Sequence, residues 1–397
     1  MCHVRIVERT GEETSNKLRL NSPPGGWFPA LQDLFWCITG FNLPYVDLFF
    51  SPRLKNIYIC TAWLSKHAGG IPLGILPTLV STISALPTSS LERILAGTRN
   101  RRMFWAHLKD SFSSTILRCG PSFTEYDFPV PLSTAALEHL IQLPHLRTWR
   151  IHGPPPTYPT SYLPPIFPPL RELTLGDGAA LGWLPLLGRL EDDAATTQGV
   201  VPLSKTKESL KILNVEDISS IKICASSIST IQYFQCLVHL KVEGYCCGRD
   251  GRDQCIFKLN NDNVTELAMA LTQLESLLLG CACSQNTCLT TVACLLPISV
   301  HCNKLKKLEI HFNTTNIVDD FKNALEDPRF RQLRSFPRCS LTCLDVRQMP
   351  LSLDDSGSEI VAKGMIDIFP SLIRCRGFER SWAKLSREIR NFQVRSG

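Results

Sequence analysis

Aliphatic side chains return along this chain at the first, fourth and sixth places of a short segment, with mostly polar residues at the second and third. The pattern is plainest in Leu274-Glu275-Ser276-Leu277-Leu278-Leu279. It recurs downstream as Leu305, Leu308, Ile310 and as Leu341, Leu344, Val346. Upstream it appears as Leu237, Leu240, Val242, then Leu210, Leu213, Val215, then Leu170, Leu173, Leu175, and far earlier as Leu54, Ile57, Ile59. Two looser copies, Leu31, Leu34, Trp36 and Leu146, Trp149, Ile151, put tryptophan in one slot. Side chains of a strand alternate between its two faces, so the fourth and sixth places share an interior side while the opening leucine turns the chain into the strand. Repetition of such a frame is the mark of a leucine-rich solenoid. The predicted fold class is therefore α/β, a leucine-rich-repeat solenoid or irregular horseshoe, with parallel strands on the concave face and helices on the convex face.

The opening leucines fall at 210, 237, 274, 305 and 341, and at 372 if Leu372 begins a final unit. Most of these intervals exceed the roughly 20–29 residues of a minimal leucine-rich unit, so the units must carry full helices and loops of varied length. Leu79, Val80, Ile83 and Leu86 give one helix at helical spacing, followed by a degenerate strand with Leu91, Ile94 and Ala96. Ser133 or Thr134 caps a helix that buries Ala136, Leu140, Ile141 and Leu143 and stops at Pro144. Asn263 caps Val264 to Leu271, Thr290 to Val300 is disturbed by Pro297, and helices begin near Asp319 and Ser358. A last helix, about Glu379 to Phe392, lines up Trp382, Leu385, Ile389 and Phe392 with arginines opposite, as the polar-backed cap of a repeat array requires. The text fits the frame least over Thr98 to Phe128, where Arg99, Arg101 and Arg102 beside Met103-Phe104-Trp105 read as a helix with a solvated basic edge. The proline-dense stretch 153–169 reads as a rigid loop, and 188–207 as a polar excursion.

These assignments divide the chain into a flexible arm over 1–26, a solenoid over 27–376 and a basic amphipathic capping helix over 377–397. A conventional core stops growing well short of the 397 residues present, whereas a solenoid escapes that limit because each unit packs only on its neighbours. Net charge is only +6, and it is concentrated: from Arg374 onward seven Lys or Arg face two Glu. No basic stripe runs along the repeats, so nucleic acid is not the expected partner. No apolar run reaches bilayer length, so neither is a membrane. Seventeen cysteines without an apolar leader point to free thiols in a reducing compartment, cytoplasm or nucleus.

Candidate chemistry is thin. Cys246, Cys247 and Cys255, with Cys281, Cys283 and Cys288 one unit later, lack the paired spacing by which one turn presents two zinc ligands. His301 and His311 flank the Leu305 strand next to Cys302, but sequence neighbours do not make a nucleophile and base. Phosphate-binding, nucleophile-elbow and metalloprotease motifs are missing, and Asp319-Asp320 and Asp354-Asp355 sit where helix starts favour acids. No cofactor and no catalytic or metal residue is expected.

Several phrases carry a family likeness: "FPALQDLFW", "LFFSPRLKNIYI", "ALEHLIQLPHLRTWRI", "PPLRELTLGD", "FKLNNDNVTELAMALTQLESLLLG", "TTVACLLPISVHCNKLKKLEIHFNT" and "MIDIFPSLIRC". From about Trp27 to Cys375 the chain resembles the leucine-rich-repeat region of F-box-like proteins of mushroom-forming fungi. The resemblance implies a repeat region that recruits a target, behind an F-box that docks on the Skp1-type adaptor of a cullin ubiquitin ligase. The segment before the first repeat has no Leu-Pro-x-Glu helix start, so the likeness covers the repeats and not the adaptor-binding element.

The expected function is a non-catalytic protein-interaction module, related to ubiquitin-ligase substrate recognition. Its partner is an unidentified protein held through outward positions of the strands: Arg171, Glu172, Lys211, His239, Glu275, Lys306, Lys307 and Thr342, with Ser276 and Cys343 beside them. The alternatives are an enzyme using the Cys/His-rich loops 246–302, and a degenerate F-box relative that binds no adaptor.

Overall fold

A computed structural model of the chain describes residues 3–6, 28–37, 43–60, 76–96, 108–152, 168–176, 179, 183, 204–217, 225–244, 258–281, 288–326, 328, 338–346, 351–377 and 380–396. The basic stretch 99–105, the proline-dense loop, most of the polar excursion and the cysteines at 246, 247, 255 and 283 lie outside these residues. The chain forms two compact units, 1–173 with 201–206, and 174–200 with 207–397.

In the first unit six strands run parallel, each paired with the next in chain order: β1 (His3–Ile6), β2 (Asp33–Cys37), β3 (Asn56–Cys60), β4 (Arg93–Ala96), β5 (Glu125–Asp127) and β6 (Thr148–His152). β1 falls within the stretch assigned to the arm. The fourth places of the frame, Leu34, Ile57, Ile94, Tyr126 and Trp149, are register partners and are all fully buried. Strand β7 (Glu172–Gly176) spans the division between the units.

In the second unit β8 (Ile212–Asp217), β9 (His239–Gly244), β10 (Ser276–Cys281), β11 (Lys307–Ile310), β12 (Cys343–Asp345) and β13 (Arg374–Arg376) repeat the scheme. Leu213, Leu240, Leu277, Leu308, Leu344 and Cys375 form one buried rung, and Val215, Val242, Leu279 and Ile310 the next. Each such aliphatic side chain removed from water contributes about 1.5–3 kcal/mol, and this repeated contribution is what holds the register. The fold is that of an α/β solenoid of leucine-rich-repeat type, as the frame predicts.

A second repeating device joins successive repeats within each unit. The carbonyl of the second-place residue accepts the N–H groups of both the second and the third residue of the following unit: Glu275 O from Lys306 (2.9 Å) and Lys307 (3.1 Å), Lys211 O from Val238 (2.8 Å) and His239 (2.9 Å), and Thr124 O from Arg147 (2.8 Å) and Thr148 (3.2 Å). The entry to these strands is thereby set by the backbone of the preceding repeat.

Helices follow the strands and take up their apolar side. In the first unit these are α1 (Leu76–Ser84), α2 (Lys109–Leu117) and α3 (Thr134–Gln142). Ser133 caps α3 by accepting the Ala136 N–H at 3.4 Å, and Leu143, extended as a residue before proline must be, ends it. In the second unit they are α4 (Ala225–Gln232), α5 (Asn261–Ala270), α6 (Leu295–His301), α7 (Ile317–Glu326), α8 (Asp355–Ile368) and α9 (Arg380–Ser396).

Three expectations change. The cap of α5 is Asn260, not Asn263; Asn263 is the third helical residue and returns its side chain to the Asn260 N–H at 3.3 Å while Asn260 accepts the Asn263 N–H at 2.9 Å. Pro297 does not disturb its helix, because it lies in the first turn of α6, where the missing N–H has no intrahelical partner in any case. The poorly fitting stretch before Phe128 contains a complete unit, in which Phe123, Tyr126 and Phe128 occupy the three slots, all buried, and Phe128 stacks on Phe112 of α2 with ring centroids 4.5 Å apart.

The end of the array follows from one small residue. In the last frame Leu372 and Cys375 fill the first two slots but Gly377 stands in the third, and a Cβ there would overlap the Trp382 ring. Trp382 of α9 is fully buried in the place a sixth-position aliphatic would take, with Leu385 and Ile389 behind it.

Candidate functional site

Alternation leaves the third and fifth places of each frame on the strand face opposite the core, and register stacks them into rows. In the first unit the third-place row is Asp33, Asn56, Arg93, Glu125, Thr148, and the fifth-place row begins Phe35, Tyr58, Leu95, Asp127. Neighbours satisfy one another: Asn56 donates to Asp33 (2.5 Å), Arg93 pairs with Glu125 and also donates to the Tyr58 hydroxyl (3.3 Å), and Arg150 pairs with Asp127 (2.5 Å). The Glu125 carboxylate holds the Arg93 guanidinium above its ordinary range against the opposing effect of burial. Phe35 and Tyr58 stack at 6.4 Å beside it.

The second unit has the rows Ile212, His239, Ser276, Lys307, Cys343, Arg374 and Asn214, Lys241, Leu278, Glu309, Asp345, Arg376. Lys241 bridges Glu216 (3.1 Å) and Glu243 (2.7 Å) across two strands. Beyond it, Gly280 lies against His311, where an added Cβ would come within 2.8 Å of the histidine Cβ, and the strands form a shallow recess with Glu309 and Val346.

The residues expected to bind a partner separate into two kinds. His239 and Lys307 are exposed third-place residues on the strand face, and Glu172 is half-buried at the same place in β7. Arg171, Lys211, Glu275, Lys306 and Thr342 are second-place residues at the entry to the strands, where their backbone carbonyls or N–H groups make the inter-unit bonds and their side chains form a rim. On that rim Lys306 and Glu275 pair at 2.7 Å, and the ammonium holds the Glu275 carboxyl below the usual carboxylate range. Arg171 and Glu172 belong to the first unit and the other six to the second. The fifth-place side chains Tyr58, Asp127, Arg150, Lys241 and Asp345 were not singled out from the sequence, although the frame itself identifies them: every residue between two ladder aliphatics points away from the core.

Cys302 directs its thiol at the carbonyls of Ala268 and Leu271, both at 3.8 Å, and not at His301. Burial pushes the Cys302 thiol up to about 12 and Cys294 higher still. Cys288 lies 2.8 Å from the Thr290 hydroxyl, which donates to the His311 carbonyl. Among the described residues no group of three His, Cys, Asp or Glu side chains is placed to hold a metal ion, and no helix is long and apolar enough to cross a membrane. In comparison with known proteins, no family model and no curated protein matches the chain.

Proposed function

We propose that this protein is a non-catalytic interaction module that takes a protein partner against the open face of its strands. The observation that carries this reading is the ordered polar ladder of that face, in which Lys241 with Glu216 and Glu243 holds several side chains in one fixed arrangement. In each unit by itself, mixed polar groups surround less polar side chains, Phe35 and Tyr58 in the first and Leu278 in the second, a composition that matches ordinary protein interfaces. Among the described cysteines of 246–302, burial raises the Cys294 and Cys302 thiols, the opposite of what a thiol nucleophile at those two positions needs. Target recruitment for a ubiquitin ligase, with a cytoplasmic or nuclear site of action, is the role suggested by the resemblance of its repeats to fungal F-box-like proteins. The experiment is site-specific photo-cross-linking in cells, with the cross-linker at Ser276 on the strand face or at Met269, exposed on α5. A discrete protein adduct from Ser276 and none from Met269 is expected; adducts from Met269 alone would overturn the proposal.

A further inference from the structure

We propose that the strand face at β11–β13 docks an extended acidic segment of the partner, a deepening that rests on the strand-face reading above. Three other cations of the strand face are matched closely: Arg93 by Glu125, Arg150 by Asp127, Lys241 by Glu216 and Glu243. At this end the matching is looser. Lys307, 64% exposed, has its nearest carboxylate 3.9 Å away in Glu309, which is itself almost wholly buried. Arg374 and Arg376 are exposed, and neither forms an ion pair among the described residues.

The spacing defines the ligand. Lys307, Cys343 and Arg374 are register partners on adjacent strands, so with strands about 4.8 Å apart the two cations stand about 10 Å from each other across an uncharged residue. In a polyproline-II-like segment, residues three apart point the same way and lie about 9 Å apart. Acidic residues at every third place therefore meet Lys307 and Arg374 together. Below that row Ile373, half exposed, and Thr342 offer an apolar and a hydroxyl contact between the cations. Glu275, Glu309 and Asp345 interleave with the basic groups and oppose a continuous polyphosphate, which favours a peptide with spaced carboxylates over a nucleic acid.

The test is fluorescence anisotropy of the full chain with a labelled peptide of four Glu-Pro-Ser repeats, beside the same peptide with Gln for Glu and a twelve-nucleotide single strand. The expected result is salt-sensitive binding of the acidic peptide alone, weakened about tenfold or more by Lys307→Glu with Arg374→Glu. The milder pair Lys307→Gln with Arg374→Gln weakens it less, and Arg53→Glu with Lys109→Glu, exposed cations of the other unit, leaves it unchanged. Equal binding of the Gln peptide, tighter binding of the oligonucleotide, or indifference to both Lys307/Arg374 pairs would overturn it. Should acidic binding fail while Ser276 still cross-links a protein, the acidic ligand is wrong and the strand-face reading stands; loss of both removes that reading too.

Discussion

The Ser386 hydroxyl donates to the Cys375 carbonyl at 2.5 Å and accepts the Cys375 N–H at 3.0 Å, so one buried side chain of α9 satisfies both backbone groups of the middle residue of β13. An edge strand otherwise presents those groups as a template for another chain. Gln393 extends the cover by donating to the carbonyls of Leu372 (2.7 Å) and Pro370 (3.3 Å).

Ser386→Ala therefore leaves a buried donor and a buried acceptor without partners, at a cost of about 1–3 kcal/mol. Urea unfolding followed by tryptophan fluorescence measures it. A change below about 0.5 kcal/mol would mean that water replaces the hydroxyl and that the contact is not structural.

Trp382→Ala empties the slot that Gly377 leaves open and costs about 3–5 kcal/mol, with amide exchange accelerating first in β13 and α8. Gly377→Ala attacks the same contact from the other side. Because the ring has nowhere to move, this single methyl is expected to destabilise as well, by about 1–3 kcal/mol.

The reciprocal pair at the start of α5 separates the two asparagines. Asn260→Ala removes the cap proper and costs about 1 kcal/mol, whereas Asn263→Ala removes only the returning bond and costs less. Thermal unfolding of both variants gives the order; the reverse order would restore Asn263 as the cap.

At the start of α8 the Asp354 carboxylate accepts the Gly357 N–H at 2.6 Å, and this bond, with that of Ser356, draws its pKa below the ordinary value. A lowered folded-state pKa means stability that is present above the unfolded value and lost as pH falls through the folded one. The stability gap between wild type and Asp354→Ala should accordingly be full at neutral pH and close below about pH 4. A gap that is independent of pH would show that the cap acts through chain geometry alone.

Thiol accessibility supplies a check that needs no mutation. Cys294, Cys302 and Cys339 are buried, and the Cys339 thiol is pushed up to about 11, so they should react with a maleimide only on unfolding; half-exposed Cys60, Cys236 and Cys343 should label in the folded protein. Peptide mapping after brief labelling distinguishes the two groups. Rapid native labelling of Cys302 would favour the nucleophile reading.

Periodicity exposed the ladder because burial at the fourth and sixth places acts residue by residue: Leu240, Leu277 and Leu308 do lie on neighbouring parallel strands. The unit at Phe123, Tyr126 and Phe128 was hidden because aromatic side chains fill the slots, and a search for aliphatics passes over them although the spacing is the same. Ion pairing was less legible, since Lys241 meets Glu216 only through a register set across a sequence separation of 25. Arg171 and Lys306 read as outward from the same frame as Lys307, but the turn into the strand places them on the rim instead of the face. Distinguishing second from third place needs the backbone bonds, which a hydropathy pattern does not contain.

The doubled carbonyl bond at strand entries separates ladder register from chain length. Successive repeats can differ in length by ten residues, as the opening leucines at 210, 237 and 274 show, yet the fourth-place residues stay in line. Every insertion has been accommodated on the return path and none in the ladder. The recognition face can thus be altered one residue at a time while loops lengthen or shorten behind it, and neither kind of change disturbs the other.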